Sequence, residues 1–198
     1  MLISILSFGQ KKVLTPFKKG DVRLELKLPH VNYLSVNPAG EFRDDKAGFN
    51  GYGIGLEYSY NDNRFLETSA SFVMTFEFPF PAPVDREYNK AIYSYYFSLT
   101  DNVVVNRFTI GYGLNYSSNH WSEWYRNLGS NGSPLPDSKY YSNETLGATL
   151  NAYYRGGRSR HVGIIYRPTL LKVNGQAEVV VEHLVSLEFN WRIRLNRT

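Results

Sequence analysis

The chain has 198 residues, a formal net charge of +4, 42% apolar and 16% aromatic residues, and no cysteine. That length suits one domain, the lack of thiols excludes disulfides and thiolate metal sites, and a mild charge without a long basic block argues against nucleic-acid binding. No apolar run approaches the roughly 18–20 residues of a transmembrane helix, yet a mean hydropathy of −0.37 leaves a membrane barrel open, because a barrel wall turns only every second strand residue toward lipid.

At the start, "LISILSFGQ" puts the small residues Ser7 and Gly9 at the spacing of a signal-peptidase site. Residues 1–9 are therefore expected to be a remnant of a secretory signal peptide, with Gln10 as the mature start. Further on, Val22, Leu24, Leu26 and Leu28 alternate with Arg23, Glu25 and Lys27. This period of two marks a first strand, which ends near Pro29 or passes it with a bulge. The second strand sets Tyr52, Ile54, Leu56, Tyr58 and Tyr60 against Gly53, Gly55, Glu57 and Ser59, and stops at "NDNR".

The third strand opposes Leu66, Thr68, Ala70, Phe72, Met74, Phe76 and Phe78 to Glu67, Ser69, Ser71, Thr75 and Glu77, with Val73 breaking the pattern, and "PFPAPVDREYNK" ends it. Ala91, Tyr93, Tyr95, Phe97 and Leu99 carry a fourth strand into "TDN", which reads as a tight turn. A fifth has Val104, Phe108, Ile110, Tyr112, Leu114 and Tyr116 on one side and Arg107, Thr109, Gly111, Gly113 and Asn115 on the other. A long loop rich in Ser, Asn, Gly and Pro is expected from about Ser117 to Asn143. Leu146, Ala148, Leu150, Ala152 and Tyr154 form a sixth strand up to "RGGRS". The seventh, near 160–172, is the poorest, because Ile165 and Leu171 spoil its parity and Pro168 lacks a donor. The last, "HLVSLEFNWRIRL", is the most regular: Val185, Leu187, Phe189, Trp191, Ile193 and Leu195 share one parity.

That makes about eight strands, and their connections alternate long and short. Outer-membrane barrels segregate short periplasmic turns from longer extracellular loops in this way. A closed antiparallel up-and-down transmembrane β-barrel satisfies all backbone groups between strands, so its apolar parity can face hydrocarbon. The other parity then fills a narrow lumen with a paired ionic network: Arg23, Glu25, Lys27, Glu57, Glu67, Glu77, Arg107, Arg167, Glu182, Glu188, Arg192 and Arg194. An eight-stranded interior is just wide enough for side chains to fill it, so a plugged barrel is expected, not an open porin-like channel. An alternative with the same periodicity is a soluble lipocalin-like binder of small ligands, with the apolar face inside.

The closing strand "VSLEFNWRIRL", the alternating turn lengths and the remnant "LISILSFGQ" resemble the small eight-stranded outer-membrane barrels of the OmpA and OmpX kind. The chain departs from that pattern by finishing "RLNRT" where the family commonly has a terminal aromatic. The resemblance implies a Gram-negative outer membrane as location, residues 10–20 as a periplasmic N-terminal segment, 21–198 as the barrel, and both termini in the periplasm. It also implies outer-membrane lipids, lipopolysaccharide and the barrel-assembly machinery as partners.

The expected role is non-catalytic: structural, adhesive, or an accessory subunit of an envelope complex. Trp121, Trp124, Tyr125, Arg126, Tyr140 and Tyr141 in the long loop are the expected contact surface for a protein partner. The sequence has no phosphate loop, metal-ligand spacing or nucleophile elbow, so neither cofactor nor metal is expected. The family also includes lipid A-modifying enzymes that use a His with a Ser or an acid. For that alternative the candidates are His30 and His183, which continue the apolar parity of the first and last strands.

Overall fold

Alternation of large apolar with polar or small residues gives eight strands: β1 (Val22–Val36), β2 (Asp44–Asn61), β3 (Arg64–Phe76), β4 (Tyr88–Val105), β5 (Phe108–Tyr125), β6 (Lys139–Arg155), β7 (Arg160–Lys172) and β8 (Glu182–Arg194). The computed structural model describes residues 17–37, 43–76, 88–125, 137–175 and 178–196. Residues 1–16, with the expected signal remnant, lie outside the described residues, as do Glu77 and Arg126. Each strand pairs antiparallel with the next, and β1 pairs with β8, from Arg23 opposite Arg194 to Ser35 opposite His183. Closure gives every strand a neighbour on both sides. The strand ends joined by the short connections, Asn61 to Arg64, Val105 to Phe108 and Arg155 to Arg160, lie at one end of the barrel, and those joined by the longer ones, Val36 to Asp44, Phe76 to Tyr88, Tyr125 to Lys139 and Lys172 to Glu182, at the other.

The faces sort by polarity in the sense opposite to a soluble protein. Leu114 is 72% exposed, and Ile54, Phe97, Leu99, Ile110 and Ile164 are more than half exposed, while Glu25, Glu57, Glu188 and Arg167 have no exposure at all. An apolar surface of this extent around the whole wall is far beyond the patches a water-soluble monomer carries. The lipocalin-like alternative, which needs that wall turned inward, is thereby overturned.

Three local features depart from the simple alternation. β1 continues past Pro29, and its register against β8 shifts by one residue between Pro29 and Val31. β2 is irregular at Asn50, whose φ of 87° is held by its own side chain accepting from Gly51 N at 2.9 Å. Each bulge exchanges the faces of the strand beyond it, so Leu34 and Val36 turn inward. The "TDN" segment is not a turn: Thr100 and Asn102 are buried inside β4, with Asn102 donating to Thr100 Oγ1 at 2.9 Å. The chain reverses instead at Asn106, which takes φ 55°, a conformation Asn tolerates better than most side chains.

The glycines that face the interior do two different jobs. A Cβ on Gly55 would meet Glu25 Oε2 at 2.9 Å, so this glycine makes room for a charged side chain. A Cβ on Gly113 would instead collide with the carbonyl of Leu99, so there the missing side chain lets neighbouring strands approach.

Candidate functional site

Every strand sends alternate residues into the barrel, which fill it in layers. Nearest the short turns, Arg23 pairs with Asp21 at 2.6 Å and with Glu57 at 3.4 Å, and Arg194 pairs with Asp21 at 2.7 Å. The ring of Phe17 lies 3.9 Å from the Arg23 guanidinium and stacks on Phe65 at 5.4 Å. One layer up, Arg192 Nε reaches Glu57 at 2.9 Å and Glu25 at 3.1 Å, while Lys27 pairs with Glu25 at 3.2 Å and with Glu67. Asn190 donates to Glu25 as well. The carboxylate oxygens of Glu25, Glu57 and Glu67 lie within 4.8 Å of one another. Two cations, Lys27 and Arg192, sit among these three carboxylates, and Arg23 reaches Glu57 from below, so charge balances without a metal ion.

Above this, Tyr153 donates to Glu188 at 2.6 Å, and Arg167 lies 3.8 Å from Glu188 with its guanidinium 4.8 Å from the Tyr96 ring. Ser186 donates to Asn32 at 2.5 Å. The next layer is apolar: Leu34, Val36, Val73, Ile92, Tyr96, Trp121 and Leu184 pack together, with Tyr141 against them. At the long-loop end Glu182 accepts from Asn119 at 2.5 Å, from Asn143 at 2.9 Å and from the backbone N–H of Asn37 at 2.9 Å. Among the described residues the interior is thus ion-paired toward the short turns, apolar above that, and polar again around Glu182.

Of the residues expected in the lumen, Arg23, Glu25, Lys27, Glu57, Glu67, Arg167, Glu182, Glu188 and Arg192 lie buried inside. Arg194 sits at the short-turn rim with its side chain 30% exposed. Arg107 is a correction: it occupies the β4–β5 turn, where it is exposed and donates to Tyr154 OH at 3.1 Å on the outside of the wall. A turn residue lies beyond the pleat, so strand parity does not orient it.

The expected contact surface also changes. β5 and β6 remain paired as far as Glu123 and Lys139, so 117–125 and 139–143 are strand, not loop. Over Ser117, Ser118 and Asn119 both faces of this extension are polar, and hydrophobic periodicity cannot register such a stretch. Trp121 is accordingly no exposed anchor: it is 4% exposed, inside the apolar layer, and donates to Asp44 at 2.5 Å. Trp124 and Tyr140 are exposed, whereas Tyr125 and Tyr141 are half-buried.

Of the two expected histidines, His183 has no serine beside it among the described residues. His183 faces outward between Tyr33 and Tyr166 and contacts Arg43 at 3.5 Å, while Ser186 points to the interior. His30 sits at the β1 bulge, and its side chain lies outside the described residues. The sequence reading missed His120. On the outer face of β5, His120 Nε2 lies 3.0 Å from Ser118 Oγ and Nδ1 lies 2.5 Å from Tyr140 OH, with the imidazole stacked on Tyr93 at 4.7 Å. The spacing of Ser118 and His120, two residues apart in a strand, was available as a signal once the strand was known to continue.

No protein-family model matches the chain, and no curated protein matches it in sequence. Solved structures do. Ail, the attachment invasion locus protein of Yersinia pestis, is 14% identical over 88% of this chain and 99% of its own, with a TM-score of 0.55. The same protein in complex with the heparin analogue sucrose octasulfate gives 15% identity, the same coverage and a TM-score of 0.51. The chain has the fold of the small outer-membrane β-barrels. Neisserial surface protein A, at 12% identity and a TM-score of 0.47, covers 86% of this chain and 96% of its own. At these identities the likeness is one of architecture, and the barrel's own residues must carry the functional argument.

Proposed function

We propose that this chain is an integral outer-membrane barrel that neither catalyses nor conducts, and that acts through its long-loop end as an adhesive, structural or accessory component of the envelope. The observation behind this reading is the filled interior: with ion pairs from Asp21 to Glu188 and an apolar layer from Leu34 to Trp121, the working surfaces are the wall and the rims. In this reading both termini lie in the periplasm beside the short turns, and lipids and lipopolysaccharide meet the wall. The barrel-assembly machinery inserts the chain, and a protein partner meets exposed Trp124 and Tyr140. In planar bilayers the purified protein is expected to give no stepwise conductance, while running faster on gels before boiling than after. Regular conductance steps would refute the plugged lumen. Trp124→Ser/Tyr140→Ser should leave that gel shift intact and abolish a partner cross-link trapped from a photoreactive group at Glu123; a persisting cross-link moves the contact surface elsewhere.

A second reading, a lipid A-modifying enzyme, is favoured by the outward Ser118, His120 and Tyr140 arrangement. If Nδ1–H donates to Tyr140, Nε2 is left to accept the Ser118 proton, the arrangement of a serine nucleophile and its base. Under the non-catalytic reading, His120→Ala leaves the lipid A mass profile of the host unchanged. A loss or gain of one acyl chain between the two strains would install the enzyme instead.

A further inference from the structure

The short-turn mouth holds more cations than the lumen beneath it can use. A cleft of ≈ 200 Å³ there is lined by Arg23, Arg192 and Arg194 from the closing seam, and by Arg155, Arg158 and His161 from the β6–β7 reversal. Arg23 and Arg194 are committed to Asp21. Arg192 spends only Nε on its carboxylates: Nη1 and Nη2 have no hydrogen-bond partner, though the residue is 3% exposed, and its guanidinium also lies by the rings of Phe65 and Tyr153. His161, 4% exposed, has no well-formed hydrogen bond on either ring nitrogen, the Ser159 backbone being the polar group beside it. Arg155 has a bond from Nη2 to the Asn106 carbonyl at 3.3 Å, an unpartnered Nε, and only other arginines, Arg192, Arg107 and Arg23, as its charged neighbours. Among the described residues no acid pairs with Arg155 or Arg158.

Unpaired buried donors on mutually repelling cations are costly in an empty site and favourable when an anion fills it. We propose that this cleft binds a phosphate group, held by Arg155, Arg158 and Arg192 with His161 beside them. Guanidinium forks match tetrahedral oxyanions with paired hydrogen bonds. The cleft is smaller than the roughly 300–1,000 Å³ of pockets for drug-sized ligands, so it takes a phosphate or the phosphate end of a larger molecule and not a whole nucleotide cofactor. Ile193, which faces outward, also lines it. The opening therefore reaches the wall, and a phospholipid headgroup can supply the phosphate as well as a free ion can.

The full chain, folded in an uncharged detergent, would be titrated with inorganic phosphate and followed by calorimetry. A parallel sample in nanodiscs containing phosphatidylglycerol would be followed by the ³¹P resonance of the headgroup. Saturable binding in detergent identifies a free-ion site, and a shifted, slowly exchanging lipid signal alone identifies a headgroup site. In either case the Arg155→Gln/Arg158→Gln variant should bind at least ten-fold more weakly. Arg158→Gln alone, an exposed turn position, should give an intermediate loss and keeps the test alive if the double variant fails to fold. No saturable binding in either medium overturns the proposal. So does binding of equal strength in wild type and folded variant.

Discussion

Arg192→Leu should lower the unfolding free energy of the barrel by about 3–5 kcal/mol, the range for removing one partner of a buried ion pair. The guanidinium lies between Glu57 and Glu25, at 2.9 and 3.1 Å, and both carboxylates are fully buried. Without it, Lys27 alone faces Glu25 and Glu67, and Glu57 keeps only the 3.4 Å contact from Arg23. Leucine stops short of the guanidinium position over Phe65 and Tyr153, so a second variant separates unpaired charge from lost packing. The companion variant Arg192→Leu/Glu57→Gln removes one of the stranded carboxylates and should recover a good part of the loss. Urea unfolding in detergent micelles measures both, and a single-variant loss below about 1 kcal/mol, the level of exposed pairs, would mean the network is solvated.

The wall was legible in the sequence because each strand repeats one parity for long enough to register. In β8 the apolar positions from Val185 to Ile193 face out and Glu188, Asn190 and Arg192 face in, as the alternation alone requires. The upper interior was not legible, for two physical reasons. The bulges at Pro29–Val31 and at Asn50 shift parity by one residue, which makes Leu34 and Val36 core and gives the barrel an apolar layer that no uninterrupted alternation predicts. The β5–β6 extension offers polar residues to both faces, and its pairing is set by strand continuity and by contacts such as Ser117 Oγ to Thr145 Oγ1 at 2.6 Å, not by a contrast in hydropathy. The Ser118 and His120 pair and the true location of Trp121 were hidden by the same misreading. The cationic cleft was hidden for a different reason: Arg155, Arg158 and His161 are close in sequence, but Arg192 joins them only through the pairing of β8 with β7.

Leu114→Arg should cost about 2–4 kcal/mol when the barrel is folded into lipid vesicles, the price of a cation at the midplane of a lipid-facing wall. Leu114 pairs with Leu99 on one side and Ala148 on the other, about midway along the outward row from Phe108 to His120. Nothing on that row supplies an acid at this height, and a guanidinium there must reach for a headgroup along the wall. An arginine replacing Tyr140, exposed near the long-loop rim, should cost only about 0–1 kcal/mol, because the penalty falls toward the interface. In water the ordering would vanish: an exposed Leu replaced by Arg changes stability by about 0.5 kcal/mol or less in either direction. The difference between the two sites, measured in vesicles, therefore reads out which solvent the apolar wall meets. It does so without reference to any relative, since the depth dependence arises only if hydrocarbon surrounds β5.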